Sequence, residues 1–285
     1  TNIGSTGKLI FNGSVLQDYN PGGSLTLNDI TINNTGAGVV LNNDMNIGSN
    51  GVLTLNNGVI ETGAYKVIVN NSDPNSVNSG NYNSYINNEI RRSIGASGVY
   101  NFPVGSATAY RLAKIGNNGL MGINWLNAEF LESFGNSGSL NGSVAQDFGT
   151  AYDDIATEGI WRIDPDAAPA SGNYDIRLYF DDGQGYSGST PIGNGFTGLT
   201  DNQFALLKRP SGSTSAADWA GETIGTIPAA NSPGRMISDG FVKRSGINDF
   251  SEFGIGKSNT VLPVDLLNFN AFCMDNKIQI RWATA

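Results

Sequence analysis

Apolar and polar positions alternate in short runs along the first ninety residues, and four of these runs recur at a spacing of fourteen residues. Both alternate positions of each run are aliphatic, and the residue between them is always β-branched. The runs are LTLN at 25–28, VVLN at 39–42, LTLN at 53–56 and VIVN at 67–70. Self-similarity at a fixed period is typical of stacked repeat units. The pattern therefore predicts a series of short, repeated strands.

Each run predicts one strand with an inward and an outward side. Successive side chains of a strand point to opposite faces, so the aliphatic pair points inward and the β-branched residue outward. Each run ends at an asparagine, namely Asn28, Asn42, Asn56 and Asn70, and asparagine tolerates the backbone conformations of a corner. If one coil were fourteen residues long, these amides would stack as a hydrogen-bonded ladder. We therefore predict an Asn-rich β-solenoid or β-roll over residues 1–88, with a plain β-meander as the alternative.

The pattern changes after residue 88 to short apolar runs separated by glycine-rich turns. The clearest run is YDIRLYF at 174–180. Its alternate residues form one apolar face: Tyr174, Ile176, Leu178 and Phe180. About eight strands of this kind predict a jelly-roll-like β-sandwich over residues 89–258.

A third region, residues 259–285, contains the runs LPVDLL at 262–267 and KIQIRW at 277–282. They predict a linker and the first strands of an incomplete immunoglobulin-like module. Two strands alone are only marginally stable. We therefore expect either that the polypeptide continues past Ala285 or that a neighbouring molecule completes the sheet.

The composition supports an all-β chain and narrows its chemistry. Glycine contributes 38 of 285 residues, charged residues are 14%, and histidine is absent, which excludes Ser-His-Asp and Cys-His catalysis and histidine-containing zinc sites. The net charge is -9, and lysine and arginine never cluster along the sequence beyond adjacent pairs, which disfavours nucleic-acid binding. No apolar run approaches the length of a membrane-spanning helix.

Carboxylates are the remaining candidates for chemistry. Asp181 and Asp182 follow the clearest strand and offer hard oxygen ligands, so they are a candidate structural calcium site, although Asp-Gly is also an ordinary hairpin turn. A glycosidase-like pair could come from seven further carboxylates, which we interpret instead as turn and strand-edge residues. They are Glu129, Glu132, Asp153, Asp154, Glu158, Asp164 and Asp166. We predict no catalytic residue and no cofactor beyond that calcium ion.

Two segments carry a resemblance to a known class of proteins. GVYNFPVG at 98–105 with YRLA at 110–113 resembles a segment of large secreted proteins exported by the type IX secretion system of Bacteroidota-type bacteria. FSEFGIG at 250–256, LPVDLL at 262–267 and IRWATA at 280–285 are similar to the junction with an immunoglobulin-like module near their C-terminal sorting region. The resemblance implies a modular β protein with an extracellular or cell-surface location, and it implies no active site.

These observations predict a non-catalytic extracellular structural or adhesive protein, the subunit of a cell-surface filament, sheath or adhesin stalk. An open solenoid end would dock onto a neighbour, so the expected partners are further copies or neighbouring domains of the same polypeptide, together with surface glycans. The alternative is a carbohydrate-binding accessory region of a larger secreted enzyme. Trp125, Trp161, Trp219 and Trp282 could form a sugar-stacking platform, but the strand positions of the first two favour the core.

Overall fold

The computed structural model describes residues 7–147, 149–180, 203–221, 235–236, 240–258, 266–274 and 277–284. Strands dominate throughout this part of the chain. Helical structure among these residues consists of two short 3-10 turns, Pro74–Ser76 and Ala216–Asp218. No helix of the described residues is long and apolar enough to cross a membrane.

Residues 8–93 form a three-sided β-solenoid of about four turns, as the repeat predicts. Most turns contribute one strand to each of three parallel sheets. The first turn holds β1 (Lys8–Phe11), β2 (Gln17–Tyr19) and β3 (Thr26–Leu27); the second holds β4 (Asp29–Asn33), β5 (Val39–Leu41) and β6 (Met45–Ile47). The third holds β7 (Leu53–Asn57), β8 (Ile60–Glu61) and β9 (Val67–Val69), and the fourth β10 (Ile86–Asn87) and β11 (Ile90–Ser93). The aliphatic pairs of β5, β7 and β9 are buried, as predicted.

The fourteen-residue spacing is not the length of a coil. Thr26 pairs with Asn46, and Ile60 pairs with Ile86, so one full turn takes 20 to 26 residues. Fourteen residues correspond to two of the three sides. The four repeated runs consequently lie in β3, β5, β7 and β9, which belong to three different sheets.

The predicted ladder of Asn28, Asn42, Asn56 and Asn70 is therefore wrong, because residues two sides apart face different directions. The pairing of Leu27 with Ile47, and of Ile47 with Val69, places residue 28 level with residues 48 and 70. Two of these asparagines instead bond to the preceding turn: Asn70 Nδ2 donates to the Ile47 carbonyl at 2.9 Å, and Asn42 Nδ2 donates to Asp18 Oδ1 at 3.2 Å.

Glycine permits the close approach of turns at the corners. A Cβ atom on Gly51 would lie 1.9 Å from the carbonyl oxygen of Asn28 in the preceding turn. Gly38 has φ of +85°, and its Cβ would lie 2.2 Å from the carbonyl oxygen of Val59. Both corners therefore need a residue without a side chain.

Two of the solenoid sheets continue into the β-sandwich. Its strands are β12 (Gly98–Gly105), β13 (Tyr110–Met121), β14 (Trp125–Leu131), β15 (Gln146–Asp147), β16 (Thr150–Ala151), β17 (Asp154–Ile155), β18 (Ile160–Pro165), β19 (Ser171–Tyr179), β20 (Phe204–Arg209), β21 (Arg235–Met236), β22 (Phe241–Ile247) and β23 (Ser251–Lys257). What we call the first sheet has the order β2-β5-β8-β10-β12-β13-β19-β22-β21. The second sheet has the order β17-β23-β18-β14-β11-β9-β6-β3, with β20 paired to β23. The domain boundary at residue 88 stays a prediction, and both sheets run across it.

The inner faces of the two sheets share one hydrophobic core with the solenoid. The apolar face of β19, from Tyr174 to Leu178, is fully buried there with Phe180, as its alternation predicts. Trp161 of the second sheet is also buried in this core. Trp125 is only half-buried, and the Arg91 guanidinium lies 4.0 Å from its ring centre.

The described residues after 258 form one antiparallel hairpin, β24 (Leu266–Met274) with β25 (Lys277–Thr284). A strand pair in this place agrees with the sequence pattern. Its assignment to an immunoglobulin-like module stays a prediction.

Candidate interaction surfaces

The candidate calcium ligands Asp181 and Asp182 lie outside the described residues. Two other carboxylates named from the sequence, Asp164 and Asp166, form hydrogen bonds that hold neighbouring segments together. Asp166 accepts hydrogen bonds from the backbone and side-chain nitrogens of Asn124 at 2.8 and 2.7 Å. Asp164 accepts one from the Ser211 hydroxyl at 2.9 Å. Among the described residues, no group of three or more carboxylate or cysteine side chains is arranged to hold a metal ion.

The first candidate surface is the open end of the solenoid. All three solenoid sheets end on the first turn, at β1, β2 and β3, and no strand of the described residues pairs with their outer edges. Exposed apolar side chains lie on the same turn: Ile10 is 47% exposed, Val15 69% and Leu16 50%. We call these three strand edges and three side chains the coil edge.

The opposite end of the solenoid is closed. β10 of the fourth turn pairs with β12, and β11 pairs with β14, so the sandwich continues both sheets. The remaining solenoid sheet has the order β1-β4-β7. It ends at β7, where Val77 forms a parallel bridge to Leu53. The coil edge is therefore the one solenoid end whose backbone groups are open among the described residues.

The second surface is a row of alternating charges on the outer face of the second sheet. Glu129, Arg162, Glu252 and Arg209 lie opposite one another on β14, β18, β23 and β20. Arg162 donates to Glu129 and to Glu252, each at 3.0 Å, and Arg209 Nε donates to Glu252 at 2.8 Å. We call this row the charge ladder.

A covering layer buries one end of the charge ladder. Segments 132–145 and 210–221 join through backbone hydrogen bonds, including Ser137 N to the Thr214 carbonyl at 2.8 Å. Trp219 is fully buried in a small second core beneath them, and its ring centre lies 4.6 Å from the Arg209 guanidinium. The side chains of Arg209 and Glu252 are 1% and 2% exposed as a result.

This environment shifts the pKa values of the two ladder carboxylates, Glu252 and Glu129, in opposite directions. Burial acts to raise the pKa of Glu252, but the Gly212 N–H and the two arginines outweigh it, so the pKa lies below its ordinary value. Burial raises the pKa of Glu129 despite the opposing charge of Arg162. Both carboxylates are held by arginine, which is a structural arrangement.

The third surface is a row of cations on the outer face of the first sheet. Lys114 lies opposite Arg177, and Arg177 lies opposite Lys243, on β13, β19 and β22. Within the described residues, no carboxylate lies at ion-pair distance from any of them. We call these three side chains the cation row.

An adjacent aromatic row supports two of the cations. Tyr179 and Phe241 lie opposite each other on β19 and β22, two residues from Arg177 and Lys243 and therefore on the same outer face. Lys114 Nζ lies 5.3 Å from the Tyr179 ring centre, and the Arg177 guanidinium lies 4.3 Å from that of Phe241. Cation–π contacts of this kind hold the charged groups in place.

A shallow groove of about 270 Å³ follows the cation row. Val99, which is 54% exposed, and Asp175 lie along it beside the three cations. Asp175 Oδ1 accepts a hydrogen bond from Asn118 Nδ2 at 3.1 Å. The groove thus combines excess positive charge with polar groups and an exposed apolar side chain.

Comparisons of the chain with protein-family models, curated proteins and solved structures gave no match. The function must therefore be argued from these surfaces.

Sequence reasoning missed the cation row. Its members are 63 and 66 positions apart along the chain, so no local cluster of basic residues exists. One signal was available, since Arg177 and Lys243 each occupy an outward position in an alternating strand pattern. Only the pairing of β13, β19 and β22 brings the three residues together.

Proposed function

We propose that this protein is a non-catalytic extracellular structural or adhesive protein, a subunit of a cell-surface filament, sheath or adhesin stalk. The observation that carries the proposal is the coil edge, where three parallel sheets end together beside exposed apolar residues. Unpaired strand edges are ready templates for pairing with another chain. The resemblance to secreted cargo proteins supports the location outside the cell.

The closed opposite end favours one mode of assembly. Head-to-tail stacking would need a second open coil, and the sandwich occupies that end. Two copies can instead meet through their coil edges about a two-fold axis, which gives an isologous pair. A filament would then need a further contact elsewhere on the molecule.

The test is the oligomeric state of the whole chain. Light scattering of the wild type should show a mass that rises with concentration towards a pair. The triple variant Ile10→Lys, Val15→Lys, Leu16→Lys should remain a monomer, because charge on the edge opposes strand pairing. Met121→Lys changes another exposed apolar residue, on β13, and should assemble like the wild type.

Circular dichroism of the triple variant would show whether its strands are intact. If the wild type stays a dispersed monomer at high concentration in light scattering and electron microscopy, assembly through the coil edge is wrong. An adhesive role without self-association would survive that result.

A second candidate function is carbohydrate binding as an accessory region of a larger secreted enzyme. The groove along the cation row favours it, because an elongated surface with charged, polar and apolar groups suits a chain-like ligand. Retention on a polysaccharide matrix tests this role independently of oligomeric state.

A further inference from the structure

We propose that the groove along the cation row binds an acidic polysaccharide through the carboxylates of its uronic-acid residues. This inference names a ligand for the adhesive role and rests on that part of the proposed function. The cation row places three like charges side by side, because Lys114, Arg177 and Lys243 lie directly opposite one another across three strands. Like charges in such cross-strand positions are destabilising.

The described neighbours form no ion pair with these charges. The chain has 25 acidic and 16 basic residues, yet within the described residues none of the acidic groups forms an ion pair with the row. The contacts from Tyr179 and Phe241 leave Lys114 and Arg177 their full charge while fixing their positions. Positions fixed in advance reduce the entropy lost when a ligand binds.

The spacing of the row suits a polymer. Neighbouring strands lie about 4.8 Å apart, so the three cations follow one another at that interval across the sheet. A linear polyanion laid across the strands would meet one cation at each step. The guanidinium of Arg177 can bind a carboxylate through two parallel hydrogen bonds.

The other groove residues favour a uronic-acid polymer over a polyphosphate or a densely sulfated chain. Asp175 lies in the groove with Asn118 bonded to it, and its carboxylate repels a chain with closely spaced phosphates or several sulfates per sugar more strongly than a chain with one carboxylate per sugar. Asp175 can instead accept hydrogen bonds from sugar hydroxyls, and exposed Val99 offers an apolar contact for a sugar ring.

The test is binding of the whole chain to polygalacturonate, with dextran sulfate, neutral dextran and single-stranded DNA as comparison ligands. We expect polygalacturonate to bind in preference to the other three and to be released as salt rises above about 0.15 M. The double variant Lys114→Gln, Lys243→Gln should bind roughly tenfold more weakly, because it loses two exposed ion pairs with the ligand. A tenfold loss corresponds to about 1.4 kcal/mol of binding free energy.

Two controls separate the groove from general charge and from folding. Lys66→Gln removes a cation that pairs with Glu89 on the solenoid at 2.8 Å, and it should bind like the wild type. Lys243→Arg keeps the charge of the row and should retain binding. Thermal unfolding of each variant would show that the fold is preserved.

Each alternative result overturns the inference in a distinct way. Equal polygalacturonate affinity of the wild type and the double variant would exclude the groove but leave glycan adhesion in place. Preference for DNA or dextran sulfate would exclude the uronic-acid ligand. Binding to none of the polysaccharides would remove glycan adhesion as well, whereas assembly through the coil edge would stand or fall on light scattering alone.

Discussion

The outer faces of the first and second sheets each carry a row of charges across neighbouring strands, but the two rows are built in opposite ways. In the charge ladder the signs alternate, and a layer with its own small core covers one end. In the cation row every sign is positive, and the groove beside it is open. The same cross-strand geometry therefore stabilises one face and imposes a cost on the other.

This difference suggests different roles for the two rows. The charge ladder is paired and partly buried, so a structural role accounts for it. An uncompensated row on an exposed face has no such explanation within the described residues, which is why we assign a ligand to it. Removing charge from one row at a time tests this contrast.

The largest effect is expected for Glu252→Gln in the charge ladder. It leaves the Arg209 guanidinium buried without its carboxylate, and breaking a buried ion pair in this way costs about 3 to 5 kcal/mol. Urea unfolding near neutral pH should show the loss. The matched control is Glu129→Gln, which leaves Arg162 paired with Glu252 and should cost less than about 1 kcal/mol. Equal losses in the two variants would contradict the distinction between the buried and the open end of the ladder.

Acid should reduce the difference between the wild type and Glu252→Gln. The folded-state pKa of Glu252 lies below its ordinary value of 4.5, so the ionised group stabilises the fold above that pH. This contribution is lost as the pH falls through the lower folded-state pKa, and the variant lacks the titration. The urea midpoints of the two proteins should therefore converge between about pH 7 and about pH 3.

Glu129 provides a control of opposite sign for this titration. Its folded-state pKa is raised, so its contribution to stability is lost as the pH rises through that value. Acid should therefore not reduce the difference in urea midpoint between the wild type and Glu129→Gln in the same way. If the difference in urea midpoint between the wild type and Glu252→Gln stayed constant across the pH range, the charge of Glu252 would not stabilise the fold.

The smallest effect on stability is expected for Lys243→Gln in the cation row. Removing one of three like charges relieves repulsion, so the free energy of unfolding should stay the same or rise by up to about 0.5 kcal/mol. The same urea measurement checks it. A loss comparable to that of Glu252→Gln would mean that the cation row is structural, and the contrast between the two faces would disappear.

Much of the fold followed from local patterns. The alternation from Tyr174 to Phe180 predicted a strand with one buried face, and those four side chains are fully buried. The repeat at 25–70 predicted stacked strands, and a solenoid is present. The fourteen-residue coil that the asparagine ladder required was wrong. A spacing of fourteen residues fits a whole two-sided coil, but it also fits two sides of a three-sided coil. Local sequence does not distinguish these cases, since the corner angle depends on how neighbouring turns pack.

Local sequence patterns specify which residues form strands and which side of each strand is apolar, because alternation and turn chemistry act over a few residues. Which strands become neighbours depends on tertiary packing. That pairing placed the four repeated asparagines at three corners, with Asn28 and Asn70 at the same one. It joined Glu129, Arg162, Glu252 and Arg209 into a ladder of alternating charge, and it brought Lys114, Arg177 and Lys243 into one row that forms no ion pair with any other described residue. Contacts between residues far apart in sequence depend on the packing of the whole core, and the candidate binding groove consists of such contacts.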